Sequence, residues 1–81
     1  MPHEMTIDEM QRLLGPLRGY VRRKIQHRKT QGWYRVVSVQ FREDDMTIWF
    51  TYETCHREPV QFMRPIGELL DGRFEIGVQN D

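Results

Sequence analysis

The sequence predicts a small α+β domain: a bent antiparallel sheet or SH3-like barrel of four to five strands, with an N-terminal helix and a short helical turn near residues 65–70. Three observations predict this class. A segment with helix-capping signals opens the chain, segments of alternating apolar residues follow it, and short turn-forming segments separate them. With 81 residues we expect one domain over 1–81, with a β-rich core over 20–78.

The N-terminal segment MTIDEM predicts a helix over residues 7–14. Thr6 and Glu9 have the spacing of a capping box, in which each side chain accepts a hydrogen bond from the other residue's backbone N–H. Apolar residues then recur at helical spacing at Ile7, Met10, Leu13 and Leu14. Gly15 and Pro16 predict the end of this helix.

The basic segment RGYVRRKIQHRK, residues 18–29, allows two conformations. Its apolar residues fit helical spacing, but Gly19 disfavours a helix by about 1 kcal/mol relative to alanine. The alternation of Val21, Arg23 and Ile25 fits one face of a strand. We expect a strand near 20–27, and a helix is the alternative.

Three segments with alternating apolar residues predict strands at residues 33–41, 46–53 and 58–64. In the first strand, the more apolar and therefore inward face consists of Trp33, Arg35, Val37, Val39 and Phe41. In the second, the inward residues are Met46, Ile48, Phe50 and Tyr52. In the third, they are Val60 and Phe62.

The C-terminal segments predict one turn of helix and a last strand. In RPIGELLDG, Pro65 is tolerated in a first helical turn, and we expect Leu69 and Leu70 to pack inward. The segment RFEIGV, residues 73–78, predicts the strand. We expect Arg64 and Arg73 to pair with Glu68, Glu75 or the acids at 43–45.

Charge is balanced overall but not along the chain. Twelve basic residues match twelve acids, yet residues 1–40 carry eight Lys or Arg against three acids, and residues 41–81 carry four against nine. Such a division can mark a nucleic-acid-binding face, or the two halves can attract each other within one fold. Zero net charge gives the chain no global attraction to nucleic acid or anionic membranes.

The chain carries features that lead us to expect a cytoplasmic protein without membrane association. Cys55 is alone, which excludes an internal disulfide and fits a reducing compartment. No apolar run approaches the roughly 20 residues that span a bilayer. The N-terminal segment MPHEMTIDEM is unlike a signal peptide.

Three segments, HRKTQGWYRV, TIWFTYE and FMRPIGELLDGRF, carry a family resemblance. Over residues 25–70 the chain resembles the domain of unknown function 1653 family of small bacterial and phage proteins. The matching positions are His27, Lys29, Tyr34, Val36, Tyr52, Arg64 and Pro65. The departures are Ile25 in place of Tyr, Thr30 and Gln31 inserted before Gly32, and Met63 in place of Val. Because this family has no established activity, the resemblance implies only a compact β-rich unit preceded by an added helix.

Candidate metal ligands and nucleophiles are too few to predict a catalytic site. Apart from His3, they are His27, Cys55 and His56. Adjacent side chains on a strand point in opposite directions, and zinc sites use four ligands at short paired spacings. Asp44 and Asp45 fall in a predicted turn. We therefore expect no metal, no cofactor and no enzymatic activity.

Surplus aromatic residues favour a small non-catalytic module that binds a protein partner or a second copy of itself. Trp49 is predicted to project from the polar face of its strand. Trp33 and Tyr34 fall on opposite faces of the neighbouring strand 33–41, so one of them should be exposed. Arg64 adds a partner-contact candidate.

The alternative function is nucleic-acid binding through the basic segment. A stripe of cations beside aromatic rings is typical of such surfaces. The cations that would form this stripe are Arg18, Arg22, Arg23, Lys24, Arg28 and Lys29. The sequence pI of about 6.8 argues against it, since nucleic-acid-binding domains commonly exceed 9.

Overall fold

The computed structural model describes residues 4–77, which form two α-helices, one 3₁₀ helix and five strands. In chain order these are α1 Ile7–Leu14, the 3₁₀ helix Gly15–Tyr20, β1 Lys24–His27, β2 Trp33–Arg42, β3 Thr47–Thr54, β4 Gln61–Pro65, α2 Gly67–Leu70 and β5 Phe74–Ile76. The strands form one antiparallel sheet in the order β4-β3-β2-β1-β5. The sheet is not closed, so the predicted α+β class is confirmed in its open-sheet form.

Helix α1 has the predicted bounds and the predicted cap. The Thr6 Oγ1 accepts from the Glu9 N–H at 3.1 Å, and the Glu9 carboxylate accepts from the Thr6 N–H at 2.9 Å. Gly15 does not end the helical path, because its φ of −48° is right-handed and the chain continues as the 3₁₀ helix. Of the predicted apolar stripe only Leu14 is buried. In residues 4–77 no helix has the length and apolar character needed to cross a bilayer.

The segment over 20–27 combines both predicted conformations. It is helical to Tyr20 and a strand from Lys24. Arg22 makes the change of direction with a φ of +76°. Its N–H donates to the Val36 carbonyl at 2.8 Å, so pairing with β2 begins here. The chain becomes a strand where β2 supplies partners for its backbone N–H and C=O groups. Before that point it has no neighbouring strand, and a helix satisfies these groups.

A β-bulge in β2 divides the predicted inward face of that strand: the prediction is wrong before the bulge, at Trp33 and Arg35, and right after it, at Val39. The register with β3 shifts between Val36 and Ser38. Before the shift Tyr34 and Val36 face the core, and after it Val39 does. A bulge adds one residue to one strand, so strict alternation cannot hold on both sides of it. Trp33 and Arg35 consequently lie on the opposite, outer face of the sheet.

The core lies between one face of the sheet and helix α2. Its buried residues are Ile25, Val36, Phe50, Tyr52, Leu69 and Phe74. The Phe74 ring lies 6.1 Å from Phe50 and 5.6 Å from Tyr52, measured between ring centres. Leu69 closes this cluster from α2, as predicted, whereas Leu70 is 49% exposed and does not pack inward.

The third predicted strand begins later than the sequence indicates. Strand β4 starts at Gln61, and Val60 before it is 55% exposed, so the prediction that Val60 packs inward is wrong. Phe62 does face the core side, with its ring centre 5.6 Å from that of Tyr52, yet it stays 43% exposed because β4 is an edge strand. The last strand is shorter than predicted, and Val78 lies outside the described residues.

We expect Leu69→Ala to lower the free energy of unfolding by about 2–5 kcal/mol, because it leaves a cavity under α2. Leu70→Ala is the matched control, and it should change that free energy by less than about 0.5 kcal/mol. Urea denaturation followed by circular dichroism measures both. Equal losses in the two variants would contradict the packing of α2 described here.

Candidate anion-binding site

Side chains of the two edge strands of the sheet approach each other at a cleft. The Arg64 guanidinium carbon, on β4, lies 5.6 Å from the centre of the Phe74 ring on β5. These strands are farthest apart in hydrogen-bonding order, so the sheet must bend to bring them together. The cleft has a volume of about 490 Å³ and is lined by His27, Arg28, Lys29, Arg64 and Arg73. This volume is within the range of ligand sites, roughly 300–1,000 Å³.

Arg64 is held in the cleft by two hydrogen bonds. Its Nε donates to the Tyr52 hydroxyl at 2.8 Å, and its Nη1 donates to the Glu68 carboxylate at 2.8 Å. The bond to Tyr52, followed by that to Glu68, raises the pKa of Arg64 above its ordinary value. The guanidinium is therefore a permanent charge at a defined position.

Glu68 also contacts Arg73, and so it joins arginines from both sides of the cleft. The Arg73 Nη1 lies 3.4 Å from the Glu68 carboxylate, and its Nε donates to Asp71 at 3.0 Å. This carboxylate offsets the repulsion between the two guanidinium groups. Of the acids proposed from sequence, Glu68 is the one that pairs with Arg64 and Arg73 within residues 4–77.

Arg28 and Lys29 enter the cleft from the β1–β2 turn. The Arg28 N–H donates to the Arg73 carbonyl at 2.9 Å, which ties this turn to β5. Gln31, with a φ of +64°, donates its N–H to the His27 carbonyl at 2.7 Å and closes the turn. Both cations are exposed, and within residues 4–77 neither makes an ion pair. The cleft thus holds free positive charge.

Aromatic rings lie on the same face of the sheet as the cleft. The Phe62 ring centre is 6.3 Å from that of Tyr34, and the His27 ring packs edge-on to Phe74 at 5.1 Å. The Tyr34 hydroxyl makes no hydrogen bond to the described part of the chain. The site therefore combines cations with an exposed ring and an available hydroxyl.

The six cations proposed from the basic segment do not form one continuous stripe. Arg28 and Lys29 reach the cleft. Arg18 donates to the Gln11 side chain at 2.7 Å, and Arg23 lies 5.7 Å from the centre of the Tyr20 ring. Arg22 occupies the left-handed turn, and Lys24 lies opposite Arg35 in the backbone register of β1 and β2, on the outer face. The segment is divided because it changes from helix to strand.

The four residues proposed for a protein partner lie on two faces. Trp33 is 51% exposed on the outer face. Trp49 is half-buried there, and its Nε1 donates to the Thr47 hydroxyl at 2.8 Å, with Arg42 5.3 Å from its ring centre. Tyr34 and Arg64 lie on the core side, Arg64 in the cleft itself.

The sequence does not indicate that Arg73, Glu68 and Phe62 lie near Arg28 and Lys29. No local pattern indicates that β4 and β5 meet. Four of the positions on which the family resemblance rests are at the cleft, since His27, Lys29 and Arg64 line it and the Tyr52 hydroxyl accepts from Arg64.

Within residues 4–77, the structure does not bring the remaining candidate metal ligands together. Cys55 and His56 are exposed, and residues 4–77 contain no group of three or more His, Cys, Asp or Glu side chains placed to hold a metal ion. His3 lies outside the described residues. Asp45 has the turn role expected from sequence, since the Thr47 hydroxyl donates to it at 2.7 Å and lowers the pKa of its carboxyl.

Comparisons with family models, with curated proteins and with solved structures find no match for this chain. The resemblance to the family of unknown function therefore stays a prediction.

We expect Tyr52→Phe to lower the free energy of unfolding by about 1 kcal/mol, because it removes the acceptor for the half-buried Arg64 Nε. Tyr34→Phe is the matched control, since it also deletes a hydroxyl, and it should change stability by less than about 0.5 kcal/mol. Urea denaturation tests both. A larger loss in the Tyr34 variant would contradict the hydrogen bonding described here.

Proposed function

We propose that this protein is a non-catalytic binding module that binds nucleic acid through the cleft. One observation carries the proposal: cations that lie far apart in sequence, in the β1–β2 turn, in β4 and before β5, converge on one cavity. Guanidinium groups suit phosphate because they donate in a planar fork that matches its oxygens. Two of the cleft's arginines are held in place before any ligand arrives.

Local charge supports this proposal although the net charge of the chain is zero. The cleft and its rim hold Arg28, Lys29, Arg64 and Arg73 against Glu68 and Asp71. Screening limits electrostatic attraction to about 10 Å at 0.1 M salt, so a phosphate responds to the charges near it. The local excess of positive charge therefore attracts a nearby phosphate although the chain as a whole is neutral.

The proposed location is the cytoplasm. Cys55 is an exposed free thiol, which fits a reducing compartment.

A second candidate function is protein binding through the outer face of the sheet, including self-association. The observation that favours it is the exposure of two large apolar residues on this face, Trp33 at 51% and Met63 at 56%. Exposed tryptophan is a frequent anchor of interfaces.

For the outer face we expect concentration-dependent self-association of the wild-type chain that Trp33→Ala weakens by at least about tenfold, or about 1.4 kcal/mol. Sedimentation velocity over a range of concentrations measures this. A wild-type chain that stays monomeric throughout would exclude self-association through this face.

For the cleft we expect Arg28→Glu with Lys29→Glu to lower the affinity for a labelled oligonucleotide at least about tenfold at about 50 mM salt. The slope of log affinity against log salt should fall by about 1.4 for a single strand, since each lost phosphate contact contributes about 0.7. Fluorescence anisotropy measures both quantities. Arg18→Glu with Arg22→Glu is the matched control, because it changes the net charge equally outside the cleft. Equal losses in both double variants would contradict a localised site.

In the same titration, one variant should raise the affinity for the oligonucleotide instead of lowering it. Glu68→Gln keeps the shape of the side chain but removes the negative charge between Arg64 and Arg73. We expect affinity to rise about two- to fivefold even if stability falls, given the modest energy of a partly exposed ion pair. A loss of affinity would mean that Glu68 acts by positioning the arginines.

A further inference from the structure

We infer that the cleft takes single-stranded nucleic acid, with an unstacked base on the Phe62 ring and neighbouring phosphates on Arg28, Lys29 and Arg73. The inference rests on the proposed function and names the substrate class of the same site. Phe62 is the residue that carries it, because its exposed ring lies on the same face and strand as Arg64.

The Phe62 ring is a supported platform. Its centre lies 5.6 Å from Tyr52 at an interplanar angle of 34° and 6.3 Å from Tyr34 at 87°. Two rings therefore pack near Phe62, and 43% of the residue stays exposed. A ring with few accessible orientations can stack on a base with little loss of conformational entropy. Stacking of this kind is independent of base identity.

The shape of the site favours a single strand over a duplex. The cations line a partly open cleft between two sheet edges, whereas a duplex presents its phosphates on a convex cylinder and its bases stacked inside. A single strand can place a phosphate in the cavity and turn its base toward Phe62.

The Tyr34 hydroxyl provides a polar contact beside this platform. It makes no hydrogen bond to the described part of the chain. Gly32 leaves room for it, since a Cβ at that position would lie 3.1 Å from the hydroxyl oxygen. The hydroxyl can therefore donate to, or accept from, the edge of a stacked base.

The test is fluorescence anisotropy at about 50 mM salt with a labelled single strand of about 12 nucleotides and the same strand annealed to its complement. The variants are Phe62→Ala, Phe62→Leu and Phe62→Tyr. Met63→Ala is the matched control, because Met63 is an exposed apolar residue (56%, against 43% for Phe62) on the opposite face of β4. Circular dichroism establishes that each variant is folded, and Phe62→Leu keeps apolar bulk if Phe62→Ala does not fold.

We expect the single strand to bind more tightly than the duplex, and Phe62→Ala and Phe62→Leu to weaken single-strand binding about tenfold. Phe62→Tyr and Met63→Ala should bind like the wild type. If the duplex binds equally well, or if Phe62→Leu has no effect while the Arg28 and Lys29 variant loses binding, the single-strand inference is overturned and the proposed function stands.

A third pattern of results overturns both proposals. If neither oligonucleotide binds at low salt, the cleft does not bind nucleic acid. If poly-glutamate of similar length instead competes as well as the single strand, the cleft recognises negative charge without a base. An acidic protein segment would then be its ligand.

Discussion

Packing around Phe74 is the interaction on which the candidate site depends. This ring lies on one edge strand, yet its neighbours include Phe50 and Tyr52 on β3, and the Arg64 guanidinium of the other edge strand lies 5.6 Å from its centre. A chain of this size buries a modest fraction of its surface, so a flat sheet would leave much of this aromatic cluster in water. Bending the sheet around Phe74 buries the cluster and creates the cleft between the edges.

The same packing explains how the protein holds positive charges close together. Arg64 and Arg73 come from different segments, and both contact the Glu68 carboxylate. Tyr52 belongs to the core and also accepts from Arg64, so the hydrophobic cluster and the polar cleft share a residue. Because these arginines are ordered by the fold, a ligand does not have to order them, which reduces the entropy lost on binding.

The two faces of the sheet have different chemistry. The core side carries the aromatic cluster and the cleft with its excess of cations. The outer face mixes Trp33 and Met63 with a polar network in which the Gln40 side chain accepts from the Ser38 hydroxyl and donates to the Thr51 hydroxyl. The surface proposed for nucleic-acid binding, the cleft, and the surface proposed for protein binding, the outer face, therefore lie on opposite sides of the sheet.

Local signals in the sequence determined the elements of this fold. The capping box at Thr6 and Glu9, the alternation through Phe50 and Tyr52, and the turn residues act over a few positions. The sequence was therefore sufficient to predict α1, the approximate positions of the strands and the α+β class, but it left open whether the sheet closes into an SH3-like barrel. The tertiary structure decided three further features: the inward face of β2, the exposure of β4 and the meeting of its edge with β5. A bulge at Val37 reverses alternation without a strong local signal, and burial at an edge depends on what packs beside it. The cleft combines the β1–β2 turn with Arg64 and Arg73 through contacts between distant segments, and local periodicity contains no information about such contacts.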